Sequence, residues 1–135
     1  MSKVYRSREG TVTAVDTKTQ LTTVGSETAP GPLLVPAGAK SLSAVLAAFG
    51  ADCAVAADGA YLIRLEGPGL PEGPETIAIG ASGSGVATGG CMNVPSERFP
   101  LDIPVTPANE ILVFAECVGE DTGSITIGAT LEFTV

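Results

Sequence analysis

The stretch Ser124-Ile-Thr-Ile-Gly-Ala-Thr-Leu-Glu-Phe-Thr-Val135 decides the fold class. Ile125, Ile127, Ala129, Leu131, Phe133 and Val135 alternate with Thr126, Gly128, Thr130, Glu132 and Thr134. Successive side chains on a strand point to opposite faces, so this alternation marks a strand with one face in a core. Just upstream, Glu110-Ile-Leu-Val-Phe-Ala-Glu-Cys-Val118 is apolar on both faces and reads as a central strand. Gly119-Glu-Asp-Thr-Gly123 between them is short and turn-forming. The two strands are therefore expected to pair as an antiparallel hairpin, with the C-terminal one tied into a sheet.

Other segments repeat the theme. Residues 11–15 and 21–24 are rich in Thr and Val, which suit a pleated, half-buried surface. Residues 61–66 follow an Asp58-Gly59 turn signal, and residues 75–80 alternate cleanly. Residues 99–105 alternate too, but Pro100 and Pro104 confine them to an edge strand or a bulge. Residues 41–50 read two ways. Leu42, Val45, Leu46 and Phe49 fit a helix face stopped by Gly50, whereas Leu42, Ala44, Leu46 and Ala48 fit one face of a strand. The strands on either side favour a strand.

Glycine and proline punctuate the chain. Gly67-Pro-Gly-Leu-Pro-Glu-Gly-Pro74 reads as a long rigid crossing, and residues 80–90 as a flexible Gly-rich loop. About eight short strands with turn signals and longer crossings describe an all-β, antiparallel β-sandwich of jelly-roll type. The expected organisation is a basic N-terminal arm over residues 1–10 and one sandwich domain over residues 11–135.

The 135-residue chain is 44% hydrophobic, mostly in small side chains, with four Phe, two Tyr and no Trp. Such a chain is long enough to bury a core without staples. Cys53, Cys91 and Cys117 are widely spaced and form no CxxC pair. In a reducing compartment they are expected as three packed thiols, with a Cys53–Cys117 bridge as the alternative. The N-terminus is basic and polar without an apolar core segment, so no signal peptide is expected, and folding in a cytoplasm follows. No window is apolar enough to span a bilayer as a helix.

The net charge of −8 is uneven. Residues 1–20 carry Lys3, Arg6, Arg8 and Lys18 against Glu9 and Asp16, a surplus of cations; the rest of the chain is strongly acidic. An acidic body argues against nucleic acid and anionic membranes as partners, because phosphate binding needs clustered Lys and Arg. A basic segment on an acidic body suits docking to a second copy or to another protein; the other reading is a solvated tail on an ordinary acidic protein.

There is no histidine. That removes Ser-His-Asp and Cys-His catalysis, His general bases and His-containing zinc sites. The Gly-rich 80–90 loop has no Lys and opens no helix, so it is not a phosphate loop. Asp102, Glu110, Glu116 and Glu120 are the carboxylates available for acid–base pairing, but a sugar cleft wants aromatic platforms that this composition lacks. Glu120-Asp121-Thr122 lacks the EF-hand pattern, and Lys40 and Ser41 as strand neighbours would face opposite ways. The expectation is a non-enzymatic protein with no catalytic, cofactor or metal site.

The segments Val35-Pro-Ala-Gly-Ala-Lys-Ser-Leu42, Tyr61-Leu-Ile-Arg-Leu-Glu-Gly67, Asp102-Ile-Pro-Val-Thr-Pro107 and Gly119-Glu-Asp-Thr-Gly-Ser-Ile-Thr-Ile127 resemble, in style and without a diagnostic motif, small jelly-roll structural proteins of virions. Capsid decoration (cement) proteins are the nearest type. The resemblance implies a homo-oligomer, a trimer foremost, that sits on a capsid or other shell and resides in the virion. It carries over no site residues. The residues expected at interfaces come from charge and loop stiffness: Lys3, Tyr5, Arg6 and Arg8 of the arm, and Pro68, Leu70, Pro71 and Pro74 of the rigid crossing. A carbohydrate- or ligand-binding sandwich, marked by a groove holding Tyr5 or Tyr61, is the second expectation. A cellular surface-layer, filament or compartment subunit is the third.

Overall fold

A computed structural model describes residues 2–12, 16–24, 27–28, 31–53, 58–82, 90–119 and 124–135. Among the described residues, eleven strands run in the order β1 (Lys3–Val12), β2 (Thr19–Gln20), β3 (Thr23–Val24), β4 (Glu27–Thr28), β5 (Leu33–Leu34), β6 (Ser41–Cys53), β7 (Asp58–Glu66), β8 (Glu75–Ser82), β9 (Gly90–Pro104), β10 (Glu110–Gly119) and β11 (Ser124–Thr134). They form two antiparallel sheets, β4-β3-β1-β11-β6-β9 and β2-β10-β7-β8, with β5 added to β10.

Setting aside β3, β4 and β5, and keeping β2, which is also two residues long, eight strands remain, and their pairing is nested. First pairs last, β1 with β11; then β2 with β10, β6 with β9, and β7 with β8 at the centre. Such a folded ribbon, rolled so that its pairs fall alternately into two facing sheets, is a jelly roll.

This topology corrects the expected hairpin. β10 and β11 do not pair; they lie in opposite sheets. The long hairpin is β7–β8, paired from Leu65↔Glu75 to Asp58↔Ser82. Gly67–Pro74 is thus the tip of that hairpin and not a crossing. Likewise, residues 21–24 are not one strand. The chain changes sheets there, with the Leu21 amide on the Val113 carbonyl (2.8 Å) and the Thr22 amide on the Glu9 carbonyl (3.2 Å). Leu21, caught between the layers, is fully buried.

The basic arm is also corrected. Residues 3–12 are β1, paired residue for residue with β11 from Lys3↔Thr134 to Val12↔Ile125. Alternation explains why the sequence hides it: Lys3, Tyr5 and Ser7 make the solvent face polar, and Arg6 and Arg8 occupy inward positions that border an open groove. The predicted strand at 11–15 is the end of β1, with residues 13–15 outside the described ones.

Residues 41–50 belong to β6 and are strand. The register of β6 against β11 slips between Glu132 and Phe133, leaving Ser43 as an extra residue. That bulge changes the inward parity, so Leu42 and Val45 both face the core at a spacing that imitates a helix. β9 is an edge strand with register shifts against β6, which is where Pro100 and Pro104 are tolerated. β8 runs to Ser82 and β9 starts at Gly90, so the two ends of the expected loop are strand; residues 83–89 lie outside the described residues.

One core lies between the sheets. Val45, Ile127, Leu131 and Phe133 from one layer meet Ile63, Leu65, Ile111 and Val113 from the other. It is built from aliphatic side chains with Phe133 its largest fully buried member, as the composition implied. Cys53 and Cys91 stand on the neighbouring strands β6 and β9, and Cys117 stands on β10 in the opposite sheet.

Candidate docking surface

β1 carries the four residues expected in the arm, and strand alternation sends them to two places. Lys3 and Tyr5 stand on the outer face of the six-stranded sheet; Arg6 and Arg8 stand on the opposite face, where the sandwich opens.

The outer face is organised by Glu132 on β11, directly opposite Tyr5. Its carboxylate accepts hydrogen bonds from the Tyr5 hydroxyl (3.0 Å), the Ser43 hydroxyl (3.0 Å) and the Arg98 guanidinium (2.8 Å). The Ser43 bulge allows this, because the same hydroxyl also reaches the Glu132 carbonyl at 3.1 Å. These neighbours leave Glu132 only 5% exposed, beside Thr134 and Ala44, which are buried on the same face. Burial raises its pKa, but the bonds from Arg98, Ser43 and Tyr5 outweigh it, and the group ends below the usual glutamate range. The Tyr5 phenol moves the other way: its bond to Glu132 holds it above the usual tyrosine range. Lys3 extends the network, donating to Thr134 at 2.8 Å and Ser43 at 3.3 Å, and the Ser7 and Thr130 hydroxyls meet at 2.7 Å.

On the other face, Arg6 and Arg8 border an open groove of about 540 Å³, walled by Leu33, Leu34, Pro36 and Ala108. Leu34 is 56% exposed, unusual for a leucine flanked by so much buried chain. Arg8 is held by carbonyls: Gly31 (3.3 Å), Pro32 (3.5 Å) and Ser7 (2.8 Å). Its partial burial lowers its pKa, with Arg6 adding repulsion. Arg6 donates to the Tyr5 carbonyl at 3.0 Å. Carbonyls orient these guanidiniums without neutralising them, and among the described residues neither pairs with a carboxylate. The two ion pairs seen there are Lys18–Glu66 at 2.7 Å and Arg98–Glu132.

The second set of expected residues lies on the β7–β8 tip. Pro68, Pro71 and Pro74 are exposed. Leu70, expected at an interface, is 4% exposed and packs into the core, anchoring the loop from below. The Gly69 amide donates to the Glu110 carbonyl (2.8 Å), and the Thr106 amide to the Gly69 carbonyl (3.0 Å). Gly67 has φ +114°, and a Cβ there would come within 2.7 Å of the Glu110 carbonyl oxygen; at Gly69 a Cβ would come within 2.7 Å of the Ile111 side chain. The stiffness read from the prolines is therefore reinforced by close backbone approach.

Sequence reading missed Glu132 as a hub, and it missed Leu34. Glu132 had a signal, as the one charged residue in the alternating run 124–134. Leu34 had none, because its exposure depends on how β5 joins β10. The groove does not contain Tyr5, which stands on the outer face, and the side chain of Tyr61 lies outside the described residues, as do Glu120-Asp121-Thr122 and the centre of the Gly-rich loop.

No family model matches the chain. No curated protein matches it either. Among solved structures, it overlaps the PRD1 vertex protein P5 at 14% identity and a TM-score of 0.46, over 96% of each chain. It also overlaps a cycloalternan-forming enzyme from Listeria monocytogenes at 12% identity and a TM-score of 0.37, over 94% of this chain and 11% of the enzyme. Both overlaps are too loose to bear on what the chain does.

Proposed function

We propose that this protein is a non-enzymatic assembly protein, a capsid decoration or minor capsid protein that docks on a viral shell and stabilises it. The observation that carries the reading is β1. It holds Lys3 and Tyr5 on its outer face and Arg6 and Arg8 on the opposite one, all fixed in a sheet, on a body that is otherwise acidic. A preordered face loses little conformational entropy on docking, and a local excess of cations steers it to an acidic lattice. The absence of histidine from the sequence and the virion-like style of its segments point the same way. On this reading the protein is made in the host cytoplasm, resides in the virion and binds neither nucleic acid nor membrane.

Sedimentation with candidate capsid shells tests it. Wild-type protein should co-sediment at saturable stoichiometry, and K3E/Y5A should lower occupancy at least about tenfold, the loss of one or two charged or aromatic contacts. Protein that stays in the supernatant with every shell would overturn the reading and favour a cellular assembly role.

A further inference from the structure

We infer that the groove beside β1 is the receptor for the β7–β8 hairpin tip of a second copy of this chain. The inference builds on the assembly reading above and names its self-contact.

Arg6 and Arg8 present two positive charges beside an apolar wall of Leu34, Pro36 and Ala108. An occupant therefore needs two carboxylates next to rigid apolar side chains. The tip supplies that combination in Pro71-Glu72-Gly73-Pro74-Glu75. Pro71, Glu72 and Pro74 are exposed and Glu75 is partly so; among the described residues neither carboxylate has an ion-pair partner. Two arginines at alternate positions of a strand lie about 7 Å apart.

The tip cannot swing into its own groove. Leu70 is buried beneath it, and its base is fixed by hydrogen bonds to Glu110 and Thr106 and by the bond from the Asn109 side chain to the Pro68 carbonyl (3.4 Å). The 33–36 segment stands between the two features: the Gly69 position packs against Val35, and Val35 also borders the groove. Donor and receptor are thus separate patches near one end of the sandwich. A contact between unlike patches is heterologous, and it closes into a ring when successive copies turn about one axis. Prolines at the tip and carbonyl-held guanidiniums in the groove mean that little ordering is left to do on contact.

Light scattering on purified protein tests this by charge exchange. Wild type should give a small closed oligomer whose mass does not grow with concentration. R6E/R8E and E72R/E75R should each fall to monomer, and the combined four-fold variant should recover the oligomer. All four positions are exposed or partly exposed, so the fold should survive. Were a variant to misfold, the wild type reports the same pairing through salt: its dissociation constant should rise at least about tenfold from low to high ionic strength. A monomeric wild type, an R6E/R8E variant of unchanged mass, a folded four-fold variant that stays monomeric, or a salt-independent constant would each overturn the inference. A monomer that still sediments with shells would remove this contact and leave the proposed function standing.

Discussion

At the scale of single residues, Glu132 has the most to reveal. A carboxylate on a sheet's solvent face is ordinarily hydrated; this one has exchanged water for Tyr5, Ser43 and Arg98. Because its pKa is lowered in the folded state, its contribution is present above the unfolded value, about 4.3, and is lost as pH falls through the lower folded value. Unfolding in urea across pH 2–7 should show stability dropping in that acid window for wild type, and a flatter profile for E132Q. E132A should cost about 1–2 kcal/mol at neutral pH, because the partners it leaves are near solvent and can rehydrate. In E132Q the Tyr5 phenol should ionise at lower pH than in wild type, read by phenolate absorbance, since the bond to the charged carboxylate is what holds it up. Such a residue is half-legible in sequence. The lone Glu in an alternating strand is visible, but its partners come from β1, β6 and β9, far apart along the chain.

Elements show where periodicity informs and where it misleads. β11 was read correctly because its alternation is unbroken. β6 was ambiguous because the Ser43 bulge inserts one residue and mimics helical spacing. The β7–β8 tip was read as stiff, and it is, but for reasons beyond proline. G69A places a methyl against Ile111, the Glu110 carbonyl and Val35. It should destabilise by about 1–3 kcal/mol, as overpacking does. Thermal melting would check this, and a melting point equal to wild type would mean that the loop is less tightly seated than its contacts imply. The expected β10–β11 hairpin failed for a plain reason: a short turn-forming link serves equally well to join neighbours in one sheet or to step between two sheets.

On the scale of the whole molecule, the nested pairing makes the first strand a structural partner of the last. Were residues 1–10 an arm, removing them would leave the domain intact. As β1 they pair with β11 along its length, and their loss would uncover a long edge. Deleting residues 2–10 should therefore abolish the cooperative unfolding transition and drive the chain into aggregates, seen by circular dichroism and sedimentation. A soluble truncated protein that melts like wild type would contradict the pairing. Local chemistry in the sequence determined the strand character of most segments, the small-aliphatic core, the stiffness of the 67–74 tip and the concentration of cations near the N-terminus, because alternation, composition and proline act within a few residues. Only the tertiary structure decided which strands are neighbours, that the basic segment is built into a sheet, that Glu132 is enclosed and that Arg6 and Arg8 share a groove with Leu34. Those facts depend on contacts between residues more than a hundred positions apart in some cases, such as Tyr5 with Glu132, and no local pattern encodes them.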